Sequence, residues 1–206
     1  MSDGSGIAAV RTVTLAGVAL CWLAFGLVFA FRKRHRGGKA AKREPVTIVG
    51  IGLQGLSYVF VWGPQRGEAA LFPALPGVVE CFVGALAIAI AAGSVVLTLK
   101  AVPHLGKQWS IVARVRSDHK LITDGPYGVV RHPIYTGMLG MLLASGLAAS
   151  VGWGILAGLA VFALGTWLRV RSEESLLRGM FGRAFEEYRA KVPAVVPLPR
   201  GRGRDA

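Results

Sequence analysis

The segment from Thr12 to Phe31, TVTLAGVALCWLAFGLVFAF, carries no charged side chain and is followed at once by Arg32-Lys33-Arg34-His35-Arg36. Helix long enough to cross the hydrocarbon core of a bilayer takes about 20 residues. A cleaved signal peptide places its positive charge before a shorter apolar region, so this order reads as a transmembrane helix. Basic residues collect on the cytoplasmic side. The helix is therefore expected to begin outside and to end in the cytoplasm.

Further apolar blocks run from Val46 to Trp62, from Pro76 to Leu99, and from Ile134 to Val170. The last is too long for one span and suits two, with Ser150-Val151-Gly152-Trp153-Gly154 as the turn of a tight antiparallel pair. The expected fold class is all-α: a polytopic integral membrane protein with about five transmembrane helices, a C-terminal helical hairpin and cytosolic polar segments. The loop from Gly63 to Leu75 has one Arg and one Glu and suits the outside. The stretch Lys100 to Arg131 is basic and suits the cytoplasm, as does the charged tail. The N-terminus then lies outside and the C-terminus inside.

Composition agrees with this plan. The chain is 53% hydrophobic and has a net charge of +13. Its basic residues flank apolar blocks, which is the membrane pattern and not that of a nucleic-acid binder. The spans hold few ionisable groups, which disfavours proton or ion transport. Glu80, at the start of the third block, reads as an interfacial residue. Cys21 and Cys81 lie in separate apolar blocks, and no metal-ligand spacing is present.

Gly50-Ile51-Gly52-Leu53-Gln54-Gly55 matches the GxGxxG pattern of dinucleotide-binding folds. That motif requires a strand before it and a helix after it. Here a short apolar run and a Gly/Pro turn follow. The expected role is close approach of membrane helices through small residues.

Two polar segments can carry chemistry. In the first, Asp124-Gly125-Pro126-Tyr127-Gly128 is turn chemistry. His132 is biased toward extended backbone by Pro133, and Pro133 suits the first position of the fourth span. His132 and Tyr135 are thereby delivered to a helix N-terminus at the membrane surface, as anion-facing groups or as interfacial anchors. In the second, Arg169 and Glu173 are four apart and share a helix face where the fifth span leaves the membrane. They form a simple ion pair or a charged site beside lipid.

His119-x-Leu121-Ile122-Thr123-x-Gly125-Pro126-Tyr127 leads to Arg131-His132-Pro133-x-Tyr135-x-Gly137. Later come Glu173-Glu174, Leu177, Phe181-Gly182, Phe185, Tyr188 and Val192-Pro193. This combination, covering Trp109 to Pro197, resembles the isoprenylcysteine carboxyl methyltransferase family, to which phospholipid N-methyltransferases are more distantly related. The resemblance implies S-adenosylmethionine as cofactor in a cytosolic pocket and a lipophilic methyl acceptor entering from the bilayer. It implies cofactor contacts from His119, Lys120 (through its backbone), Leu121, Ile122, Tyr127, His132, Pro133, Ile134, Tyr135 and Glu173. Gln108 and Trp109 would border the pocket. Arg169 would be the catalytic residue, binding the acceptor carboxylate. No metal is implied.

The expected organisation is a three-helix membrane scaffold over residues 1–99, with a basic loop at 32–45. A catalytic region spans 100–197, and a disordered basic tail spans 198–206. Other readings stay open: methylation of another lipid at N or O, an NADPH-dependent lipid reductase, or a non-enzymatic membrane protein.

Overall fold

The computed structural model describes residues 3–30, 45–63, 77–106, 120–149 and 152–197. The basic loop after the first span, the loop from residue 64, Gln108, Trp109, His119 and the tail 198–206 lie outside the described residues. Seven helices and no strand occur among those described: α1 (Asp3–Ala30), α2 (Pro45–Trp62), α3 (Gly77–Leu105), α4 (Pro126–Val129), α5 (Pro133–Ala149), α6 (Gly152–Phe181) and α7 (Arg183–Lys191).

By length and composition, α1, α3 and α6 can cross a membrane, while α2 and α5 are shorter apolar helices. Large apolar side chains such as Leu20, Leu23, Phe82 and Trp167 remain exposed around the bundle. Lipid tails are as apolar as these side chains, so the helices associate by close packing and interhelical hydrogen bonds. Small residues accordingly line the contacts. Gly137 and Gly140 of α5 lie against Thr98 and Ser94 of α3. The two hydroxyls donate to carbonyls one turn back on α3, which satisfies them without water.

The sequence predicts a tight α5–α6 pair, and the packing differs. α6 runs mainly along α2, and α5 runs mainly along α3 while also touching α1, α2 and α6. Gly50 and Gly165 explain the first pairing. A Cβ on Gly50 would lie 2.9 Å from the Gly165 carbonyl oxygen, and one on Gly165 would lie 2.8 Å from that of Gly50. The α2 and α6 backbones thus touch, as GxGxxG is expected to allow, but Gly52 and Gly55 face open space. The predicted turn also narrows, because Gly152, Trp153 and Gly154 already belong to α6.

Other boundaries move. α3 continues past Leu99 to Leu105, with Pro103 in its last turn, and stops before Gly106 at φ 52°. α6 continues past Val170 to Phe181, so Arg169, Glu173 and Glu174 share one uninterrupted helix. Glu80 stands in the first turn of α3. It is 4% exposed, and its Oε1 accepts from Arg11 Nε of α1 at 2.9 Å.

Candidate active site

Asp124-Gly125 turns the chain into α4, with Gly125 at φ 55° packed against the His104 ring. After α4 the backbone is extended through Val130, and Pro133 opens α5 as predicted. The extended stretch is held by the C-terminal segment. Arg131 N donates to Pro193 O at 2.8 Å, His132 N to Ala194 O at 2.9 Å, and Thr136 Oγ1 to Val195 O at 2.6 Å. α7 keeps that segment in place by burying Phe185 and Tyr188 against Leu121, Leu177 and Phe181. The Tyr188 hydroxyl donates to Tyr127 O at 2.6 Å.

The start of α5 meets the C-terminal half of α6. His132 lies between consecutive carboxylates, with Nδ1 3.5 Å from Glu173 Oε2 and Nε2 3.2 Å from Glu174 Oε1. Burial alone would lower its pKa. Hydrogen bonds and charge from Glu173 and Glu174 outweigh that and raise it above the ordinary histidine value. An imidazole with an acceptor at each nitrogen is best satisfied as the imidazolium.

The Tyr135 hydroxyl donates to Glu173 Oε1. The Tyr135 ring stacks on His132 at 5.4 Å with planes 6° apart, and the Arg169 guanidinium lies 4.7 Å from its centroid. Arg169 Nη2 stands 3.7 Å from Glu173 Oε1. His132, Tyr135, Arg169 and Glu173, all predicted site residues, therefore form one connected group.

The remaining predicted residues surround it unevenly. Tyr127 is buried, and its hydroxyl donates to Ala101 O at 3.4 Å. Pro133 is buried beneath the cluster as the first residue of α5, Ile134 is half-buried, Leu121 packs against the α7 cluster, Ile122 is half-buried and Lys120 is exposed.

Three further residues belong to the site. Arg131 binds Glu174 Oε1 through Nε at 2.8 Å and Nη2 at 2.7 Å, and its Nη1 donates to the carbonyls of Val192 and Arg189. Gln54 of α2 accepts from Arg169 Nη1 at 2.8 Å through Oε1. The second span thus reaches the site through Gln54. The available signal was Gln54 itself, an amide inside an apolar span, where polar groups are costly. Among the described residues no cluster of His, Cys, Asp and Glu could hold a metal ion.

The phospholipid methyltransferase family model matches residues 79–184. The protein-S-isoprenylcysteine O-methyltransferase of Schizosaccharomyces pombe is 37% identical over 108 residues, which cover 50% of this chain and 44% of that one. A probable protein-S-isoprenylcysteine O-methyltransferase of Oryza sativa subsp. indica is 35% identical over 138 residues, 64% of this chain and 69% of that one. The cobalt-zinc-cadmium resistance protein CzcN of Cupriavidus metallidurans is 33% identical over 95 residues, 45% of this chain and 43% of that one. The match thus spans less than half of the yeast relative and over two thirds of the rice one. With the family model covering 79–184 and the site residues drawn largely from that region, the chain belongs to the isoprenylcysteine carboxyl methyltransferase family within the wider phospholipid methyltransferase group.

Proposed function

We propose that the chain is a membrane-embedded, S-adenosylmethionine-dependent methyltransferase acting on the carboxylate of an isoprenylcysteine-like lipophilic acceptor. The observation that carries this reading is the connected group of Arg169, Glu173, Tyr135 and His132 where the start of α5 meets the C-terminal half of α6.

The residues fit such a donor. Of the two carboxylates, Glu173 is the more open, at 23% side-chain exposure against 9% for Glu174. It suits a cationic ligand group, while the stacked His132 and Tyr135 rings and half-buried Leu121 and Ile122 suit a flat nucleoside. Lys120, Tyr127, Pro133 and Ile134 complete the proposed donor side, as does His119, which lies outside the described residues.

When bound, the donor supplies a methyl group already activated by its sulfonium, so the site needs no strong base for a carboxylate nucleophile. The chain's own residues then act by orientation. Arg169, within a helix that has a lipid-exposed flank, would hold the acceptor carboxylate. Tyr135 packs on one face of that guanidinium and donates to Glu173, linking the acceptor and donor sides. The basic flanks of the spans support a cytoplasmic site with the N-terminus outside. The partners are the lipophilic acceptor and membrane lipids.

Incubating the purified protein with methyl-labelled donor and N-acetyl-S-farnesylcysteine tests the reading. A labelled product that releases methanol in alkali is expected. Absence of product from protein that binds the donor contradicts the carboxylate acceptor, and an alkali-stable label on membrane lipid points to N-methylation.

A further inference from the structure

Gln54 is 1% exposed and faces α6 from within the apolar helix α2. Its amide has a defined orientation. A guanidinium only donates, so the oxygen must face Arg169. Oε1 accepts from Arg169 Nη1 at 2.8 Å, and Nε2 donates to Thr166 Oγ1 at 2.8 Å. One turn earlier, Gly50 admits the Arg169 stem, whose Cγ lies 2.5 Å from where a Cβ would stand. On another side the Tyr135 ring covers the guanidinium at 4.7 Å.

Of the groups that hold Arg169, the Gln54 amide and the Tyr135 ring carry no net charge. Glu173 pairs with Nη2 at 3.7 Å through an oxygen that also accepts from the Tyr135 hydroxyl. Glu174 is engaged by Arg131. A glutamate at position 54 would fill the same space and neutralise Arg169 from the α2 side. Glutamine holds the guanidinium in place and leaves its charge in force where water is scarce, and there an ionic partner is strongly discriminated.

We infer that Gln54 is a positioning residue that sets the charge preference of the acceptor site: it holds Arg169 with a neutral oxygen, so that an anionic head group is preferred over its neutral counterpart. This rests on the acceptor reading proposed above.

The test is binding in detergent, with S-adenosylhomocysteine present, of N-acetyl-S-farnesylcysteine and of its methyl ester. The wild-type protein is expected to prefer the acid. Gln54→Glu should bind S-adenosylhomocysteine as the wild type does while its acid-over-ester preference falls about tenfold. Gln54→Met, similar in volume and uncharged, removes the tether and should also narrow the preference, less steeply. It serves as the deciding variant if Gln54→Glu fails to bind S-adenosylhomocysteine. An unchanged preference in a variant that retains S-adenosylhomocysteine binding overturns the role of Gln54 alone. A folded wild-type protein that binds no S-adenosylhomocysteine, or that shows no preference for the acid, overturns the acceptor reading and this inference with it.

Discussion

Arg131 grips Glu174 with two nitrogens on one carboxylate oxygen, Nε at 2.8 Å and Nη2 at 2.7 Å, and both side chains are less than a tenth exposed. Leaving a buried charge with no partner costs roughly 3–5 kcal/mol, but Glu174 also has His132 Nε2 at 3.2 Å and Arg189 Nε at 3.5 Å, so the cost of losing Arg131 falls below that range. Arg131→Ala should still lower the thermal midpoint in detergent. It should also loosen the C-terminal segment, because Arg131 binds the carbonyls of Arg189 and Val192. Proteolysis followed by mass spectrometry should find new cleavage after Lys191, and an intact C-terminus in the variant would contradict this role.

Gly50 and Gly165 are expected to be intolerant positions. Gly165→Ala forces its Cβ to 2.8 Å from the Gly50 carbonyl oxygen, and overpacking of this kind costs about 1–3 kcal/mol. Gly52→Ala and Gly55→Ala place a methyl in open space and should stay within about 0.5 kcal/mol of the wild type. Thermal midpoints of the four alanine variants measure this. Equal effects at all four would contradict the α2–α6 contact.

The helical membrane plan was legible because uncharged blocks bounded by basic runs have few folded solutions. Which helix lies beside which was not. A helix apolar around its whole circumference has no polar face to orient it, so the α2–α6 and α3–α5 pairings emerge only from where glycines meet backbone and hydroxyls. The meeting of His132 and Tyr135 with Glu173 followed from the motif resemblance and the spacing of two spans. The division of labour between Glu173 and Glu174 did not. Consecutive helix residues point about 100° apart, and only the fold reveals that Glu174 turns to Arg131 while Glu173 turns to Tyr135 and Arg169. Gln54 was missed because its partner Arg169 lies 115 residues away.

His132 makes stability depend on pH. Its pKa is raised in the folded protein because Glu173 and Glu174 outweigh burial. Arg131, Arg169 and Arg189, the cations paired with those carboxylates, are present in both charge states. The stabilisation is full below the unfolded value of about 6.5 and is lost as pH rises through the higher folded value. Thermal midpoints from about pH 6 to about pH 9 should fall with rising pH, and more steeply than in His132→Gln. Equal slopes would show that His132 is not the group responsible.

Tyr135→Phe removes one donor to Glu173 and keeps the ring that packs on Arg169 and His132. A hydrogen bond to an ionised carboxylate contributes about 1.5–3 kcal/mol, which caps the effect on a ligand held by Glu173 at roughly 160-fold in affinity. S-adenosylhomocysteine should bind correspondingly more weakly, with little change in thermal midpoint. A large drop in midpoint with unchanged affinity would make Tyr135 a packing residue only.

The central claim is that the start of α5 and the C-terminal half of α6 build one donor site. Calorimetric titration of the purified protein with S-adenosylhomocysteine tests it most directly. Saturable binding by the wild type is predicted, together with its loss in Glu173→Ala that still unfolds cooperatively. Absence of binding to cooperatively folded wild-type protein, or undiminished binding to Glu173→Ala, would contradict the account.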